Sequence, residues 1–281
     1  MKIGVITNCF KLPLYESLEK AAALGIKGVQ IYATYGEFCP ETLTESEKTA
    51  IKQRLNELGL TISALCGDMG GHGFEIEADN AERVEKTCRI VDLACEFGAS
   101  VITTHIGVIP SDKTNPRYQT MLKALTACGE YAKQKGCTLA IETGPENAET
   151  LLQFLKDTKG GVGVNLDPAN FVMVTGQDPV AAVHLLKDYI VHTHAKDGIM
   201  LKKTDPKIIY DHFATGGIEA LNVADFFLET PLGQGNVDFN AYVDALNEIG
   251  YDGFFTIERE TGENPGADIA LAKNFLEGFT R

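Results

Sequence analysis

The 281 residues suit one large α/β domain or two modest ones, and 44% hydrophobic content is enough to bury a substantial core. Thirty-nine acidic against 25 basic residues leave a formal charge of −14, the wrong sign for a nucleic-acid backbone binder and an ordinary one for solubility. No apolar run approaches membrane-spanning length, so neither nucleic acid nor membrane is an expected partner.

The chain starts MKIGVITNCF, without the basic region and long apolar stretch of a signal peptide. From there β and α patterns alternate. Strands are predicted at Lys2–Thr7, Val29–Tyr32, Thr61–Cys66, Val101–His105, Thr138–Glu142, Val162–Asp167, Tyr189–His194 and Phe254–Glu258. Amphipathic stretches lie between them, among them LYESLEKAAALG, ESEKTAIKQRLNELG, AERVEKTCRIVDLACEFG and DFNAYVDALNEIG. Each of these four closes on a glycine (Gly25, Gly59, Gly98, Gly250), the residue expected just past a helix C-terminus.

Eight β/α units without a composition shift predict a single (β/α)8 barrel domain over residues 1–281. A dinucleotide-binding sheet is disfavoured, because VITNCFKL stands where a glycine fingerprint would follow the first strand. The seven cysteines include no CxxC pair and mostly sit in apolar contexts, which predicts reduced, buried thiols in a cytoplasmic protein. The connection from Ala195 to about Asn236 is far longer than the rest. Its origin at a ligand-bearing strand tip predicts a cover over the mouth of the barrel, with Lys196 and Asp197 nearest the site.

Four apolar runs in the second half each end on a potential metal ligand: TLAIE at Glu142, VGVNLD at Asp167, YIVHTH at His194 and FFTIE at Glu258. A single strand-end acid commonly caps a helix or satisfies a loop amide. Four in register on successive strands point instead to one divalent cation, at the face where barrel active sites lie. Three carboxylates and an imidazole suit Mn²⁺, Mg²⁺, Co²⁺ or Zn²⁺. His192 shares the face of His194 and is expected one layer deeper, as a hydrogen-bonded histidine. Glu260 shares the face of Glu258, with Arg259 opposed. His105, at the end of VITTH, and Lys196, beside the ligand strand, are candidate substrate contacts; His72 among its glycines is a weaker one. Lys202 and Lys203 read as solvated loop lysines.

The segments IETGPEN, NLDPAN, HTHAKDG, LGQGNVDF and TIERETG resemble the xylose isomerase-like TIM barrels, a family of sugar phosphate isomerases and epimerases, and the resemblance runs the length of the chain. It implies that Glu142, Asp167, His194 and Glu258 bind one divalent ion, often manganese, and that Glu142 and Glu258 flank the substrate as its acid and base. Substrate contacts are expected at His105, Asn170, Lys196 and Asp197. Two positions depart from relatives: Gln234 replaces an acid in the G-E-G turn, and Asn170 stands where ketose epimerases and apurinic endonucleases of this fold carry a histidine. The additional histidines and aspartates of the trinuclear-zinc endonucleases are mostly missing, in accord with the acidic charge.

The implied activity is a metal-dependent isomerisation or epimerisation of a sugar or sugar phosphate, by proton transfer next to a carbonyl through an enediolate. Expulsion of a β-hydroxyl from the same intermediate would make the enzyme a dehydratase or lyase of a keto-sugar or keto-inositol. A non-catalytic carbohydrate-binding barrel has little need for two opposed glutamates. The expected partner is a small carbohydrate, and the sequence is compatible with a homo-oligomer.

Overall fold

The computed structural model describes residues 1–218 and 221–279. Eight parallel strands close into a barrel: β1 (Lys2–Ile6), β2 (Gly28–Tyr32), β3 (Thr61–Cys66), β4 (Val101–Thr104), β5 (Thr138–Glu142), β6 (Val162–Leu166), β7 (Ile190–Ala195) and β10 (Phe254–Ile257). Sequential strands are neighbours around the ring, and β10 returns to pair with β1 from Lys2–Phe254 to Val5–Ile257. The strands carry near-continuous burial, as expected where helices cover one face and barrel packing the other. Gly25, Gly59, Gly98 and Gly250 all take positive φ, so the four predicted helix stops are left-handed caps.

The predicted strands agree with these eight to within one or two residues. His105, Asp167 and Glu258 fall just beyond the regular ladders of β4, β6 and β10. The larger difference lies after β7. The segment expected as one long loop contains β8 (Asp197–Met200) and β9 (Phe227–Thr230), an antiparallel pair outside the barrel, with a helix at Pro206–Ala214 between them. That helix has a legible start, since the Asp205 side chain accepts from the Lys207 amide and Pro206 opens the first turn.

Candidate metal centre and active site

Strand register brings the four predicted ligands together. Glu142 is paired with Asn165 on β6, and Asn165 with His192 on β7. Asp167 and His194, each two residues further along, therefore share a level and a face. Thr256 is paired with His194, which places Glu258 on the same face beyond it. One ligand atom from each of Glu142, Asp167, His194 and Glu258 lies within 4.8 Å of the others, and all four residues are buried.

Below this cluster the barrel floor is polar and fixes the imidazole. Gln30 Nε2 donates to Thr103 Oγ1 at 3.0 Å, leaving Oε1 to accept from His192 Nε2 at 3.0 Å and His194 Nε2 at 3.2 Å. Asn165 Nδ2 lies 3.1 Å from the same His194 nitrogen and donates to Glu142 Oε2 at 3.3 Å. With Nε2 protonated toward Gln30, His194 turns Nδ1 to the cluster. There it faces Glu258 Oε2 at 3.1 Å and oxygens of Glu142 and Asp167 at 3.5 Å each. Burial alone would lower the pKa of His194, but the Glu142 and Glu258 charges outweigh it and hold the group well above its usual range. His192, buried and beside His194, is pushed well below its own and stays neutral, as expected for a supporting residue.

The donor set fits a divalent cation on two observations. His194 Nδ1 and Asp167 Oδ2 are buried without a hydrogen-bond partner, although each points at the cluster centre. The other oxygen of Asp167 is committed: it accepts from the Ala169 and Asn170 amides at 2.8 and 3.1 Å and so aims the free one. The 4.8 Å spread only slightly exceeds the span of ligands about 2.0–2.3 Å from a common ion.

A cavity of about 450 Å³ opens above the cluster, and His105, Asn170 and Lys196 line it. His105 Nδ1 is 3.2 Å from Asp68 and Nε2 is 3.7 Å from Glu142. Burial opposes its charge, but Glu142 and Asp68 lift the pKa to about 10, so at neutral pH an imidazolium lies beside Glu142. Lys196 Nζ bridges Glu258 at 3.1 Å and Glu260 at 2.6 Å. Burial would raise the carboxyl pKa of Glu258, yet Lys196 and His194 hold it below its ordinary value. Asn170 spends its amide nitrogen on Thr143 O at 2.9 Å while remaining on the cavity wall.

Asp197 requires a correction. Rather than facing the cavity, its carboxylate accepts four backbone amides: Gly198, Gly233, Gly235 and Val237, at 2.8–3.1 Å. It ties the start of the insertion to the LGQGNV turn, and a Cβ on Gly235 would lie 2.1 Å from its Oδ1. Asp197→Ala leaves buried amides unpaired and is expected to cost about 3 kcal/mol or more, read as a fall in thermal midpoint. An unchanged midpoint would remove the anchoring role.

Sequence reasoning missed the groups supplied by the insertion. Tyr210, Ile209 and Phe213 from its helix, with Phe227 and Glu229 from β9, line the same cavity as the metal cluster, so the segment does cover the mouth. Arg259, on the opposite side of its strand from Glu258, explains how it is held. Its Nη1 donates to Glu229 Oε1 at 2.8 Å and its Nε to Asp268 at 2.8 Å. Tyr210 packs so closely on Gly144 that a Cβ there would lie 2.0 Å from the phenol oxygen.

Glu146, in that same loop, is 5% exposed and neither carboxylate oxygen has a partner. Burial pushes its pKa from 4.5 to about 8, against the pull of the His105 charge. The folded protein thus keeps this proton across a range where the unfolded chain has released it, and stability falls as pH rises from about 4.5 to 8. Glu146→Gln removes that dependence. The variant is expected to melt close to the native protein near pH 4.5 and above it at pH 8, by an amount on the order of a few kcal/mol in stability. Identical midpoints across the range would contradict a buried neutral acid.

The model of the xylose isomerase-like TIM barrel family matches residues 18–278. The chain belongs to that family. A crystal structure of a xylose isomerase domain protein from Planctomyces limnophilus matches with a TM-score of 0.78 at 27% identity, over 99% of this chain and 95% of that one. A D-tagatose 3-epimerase-like protein matches at 0.74 and 21% identity, over 99% and 98% of the two chains. Among sequence relatives, an inosose dehydratase from Clostridium tetani is 23% identical across 52% of this chain and 48% of its own. Family membership accords with the buried cluster as a place that can hold a divalent metal. Among the described residues, no helix is long and apolar enough to cross a membrane.

Proposed function

We propose that the protein is a divalent-metal-dependent isomerase or epimerase of a sugar, with Mn²⁺ as the first candidate ion and Mg²⁺, Co²⁺ or Zn²⁺ as alternatives. The observation that carries the reading is the pair of orphaned atoms, His194 Nδ1 and Asp167 Oδ2, aimed with Glu142 and Glu258 at one point beneath a ligand-sized cavity. When bound, the ion supplies positive charge where negative charge develops on the substrate's carbonyl oxygen.

The chain's own groups then move the proton. Glu142 and Glu258 are the two glutamates of the cluster that line the cavity; one removes the proton α to the carbonyl, and the other returns it. Return to the opposite face of the same carbon is an epimerisation, and to the neighbouring carbon an isomerisation. His105, 3.7 Å from Glu142, and Lys196, 3.1 Å from Glu258, hold the two carboxylates in place, and Lys196 also favours the basic form of Glu258.

The similarity to an inosose dehydratase supports a second reading, in which the enediolate expels a β-hydroxyl. Metal-dependent turnover of a panel of ketoses, keto-glycosides and keto-inositols, followed by NMR, tests both. Rearranged sugars support the first reading and dehydrated products the second; ligand binding without turnover by the metal-loaded protein would leave a binding barrel.

A further inference from the structure

We propose that the substrate is an uncharged keto-sugar carrying an apolar substituent, such as the aglycone of a keto-glycoside, and not a sugar phosphate. The proposal rests on the proton-transfer reading above and names its substrate class.

A phosphate group brings about −1.5 to −2 charges and is held by cations, by free backbone amides or by a helix N-terminus. Among the described wall residues the only lysine or arginine is Lys196, and it is already bridged between Glu258 and Glu260. Most other cations touching wall residues are spent in the same way; the exception is Arg83, whose Nη2 lies beside the wall residue Gly71 and which makes no ion pair among the described residues. His105 faces Asp68, Arg117 pairs with Glu75 at 3.2 Å, Arg259 with Glu229, and Lys207 with Asp211. Two loop amides that would suit an anion are taken by these carboxylates: Gly70 donates to Asp68 at 2.8 Å and Val108 to Glu75 at 2.7 Å. A dianion entering this cavity would meet a wall dominated by carboxylates, Asp68, Glu75, Asp211, Glu229 and Glu260 beside the metal cluster, with the unpaired Arg83 only at its Gly71 edge.

The opposite chemistry is abundant. The insertion and the segment after β6 face the cavity with Met173, Ile209, Phe213, Ala214, Val223 and Phe227. Phe213 is 56% exposed on the helix that covers the mouth, a large apolar ring with much of its surface left to water. A volume near 450 Å³ falls in the range of about 300–1,000 Å³ that holds drug-sized ligands, more than a bare hexose requires. Polar strand ends with the metal ligands at the base, and apolar walls from the insertion, match a polar sugar ring bearing an apolar group.

The test compares three probes on the Mn²⁺-loaded protein: 3-keto-glucose, its 6-phosphate and phenyl 3-keto-β-glucoside, with affinities from calorimetry and deuterium entry from solvent read by NMR. The phenyl glycoside is expected to bind roughly 10-fold or more tighter than the free sugar, from the apolar area it covers, and the phosphate more weakly than either. In Phe213→Ala, an exposed position where folding is not at stake, the phenyl preference should shrink. A phosphate that binds as well as the phenyl glycoside, no preference among the three, or a phenyl preference unchanged in Phe213→Ala together with Phe227→Ala overturns the substrate class. If the affinity order holds but no probe takes up deuterium, the substrate class stands and the proton-transfer reading fails. If the phosphate exchanges fastest, the reverse is true.

Discussion

Glu142→Gln and Glu258→Gln are each expected to lower turnover at least ~10²-fold, the usual scale for loss of a general acid or base. Glutamine keeps the size and one coordinating oxygen of the carboxylate but cannot accept a proton from carbon. Three strong ligands remain in each variant, so an ion-induced rise in thermal midpoint should survive while proton transfer does not. The neighbours make the comparison clean. Lys196 keeps Glu260 at 2.6 Å when Glu258 is neutralised, and His105 keeps Asp68 at 3.2 Å when Glu142 is. Neither cation is left buried and unpaired, which limits the structural penalty. Turnover and solvent deuterium exchange, measured separately, check the assignment. Exchange that persists unchanged in both variants would show that another residue is the base.

The second large effect is stabilisation by the ion itself. Three carboxylates crowd a buried space around one imidazole, and two of the ligand atoms have no hydrogen-bond partner. An ion that binds only the folded state at a concentration a thousand times its Kd adds about 4 kcal/mol. Saturating Mn²⁺ should therefore raise the midpoint of the chelator-treated protein by several degrees. Asp167→Asn tests the site without removing its scaffold. The amide oxygen can still cap the Ala169 and Asn170 amides, but the free carboxylate oxygen is lost as a charged ligand. With its oxygen held by those amides, the asparagine turns an NH2 toward the ion, so the variant should lose more of the Mn²⁺ shift than Glu142→Gln or Glu258→Gln while melting near the native metal-free protein. A native protein whose midpoint ignores Mn²⁺, Mg²⁺, Co²⁺ and Zn²⁺ alike would count against the metal centre.

The barrel was legible in the sequence because its signals are local and repeated: short apolar runs, helical spacing between them, and glycines at helix ends. The four ligands were legible for the same reason, since a polar residue closing an apolar strand has one place to go in this architecture. What escaped depends on contacts far apart in the chain. Gln30, which orients His194, lies 164 residues from it and reads locally as an ordinary strand residue. β8 and β9 are four residues each, too short for alternation to declare itself, and the insertion that carries them is tied down by contacts from Arg259 and Asp197. Asp197 was misplaced because adjacency to Lys196 says nothing of direction. The two residues sit at the junction of β7 and β8, where the chain turns: Lys196 enters the cavity, while Asp197 turns to the amides of the LGQGNV segment.

The most direct test of the account is solvent deuterium exchange in the presence of a turned-over keto-sugar, with the protein metal-loaded in one arm and chelator-stripped in the other. Deuterium is expected at the carbon next to the carbonyl in the loaded protein, with loss of that exchange on stripping and its return when Mn²⁺ is restored. Exchange at the same carbon and the same rate in the stripped protein would contradict it.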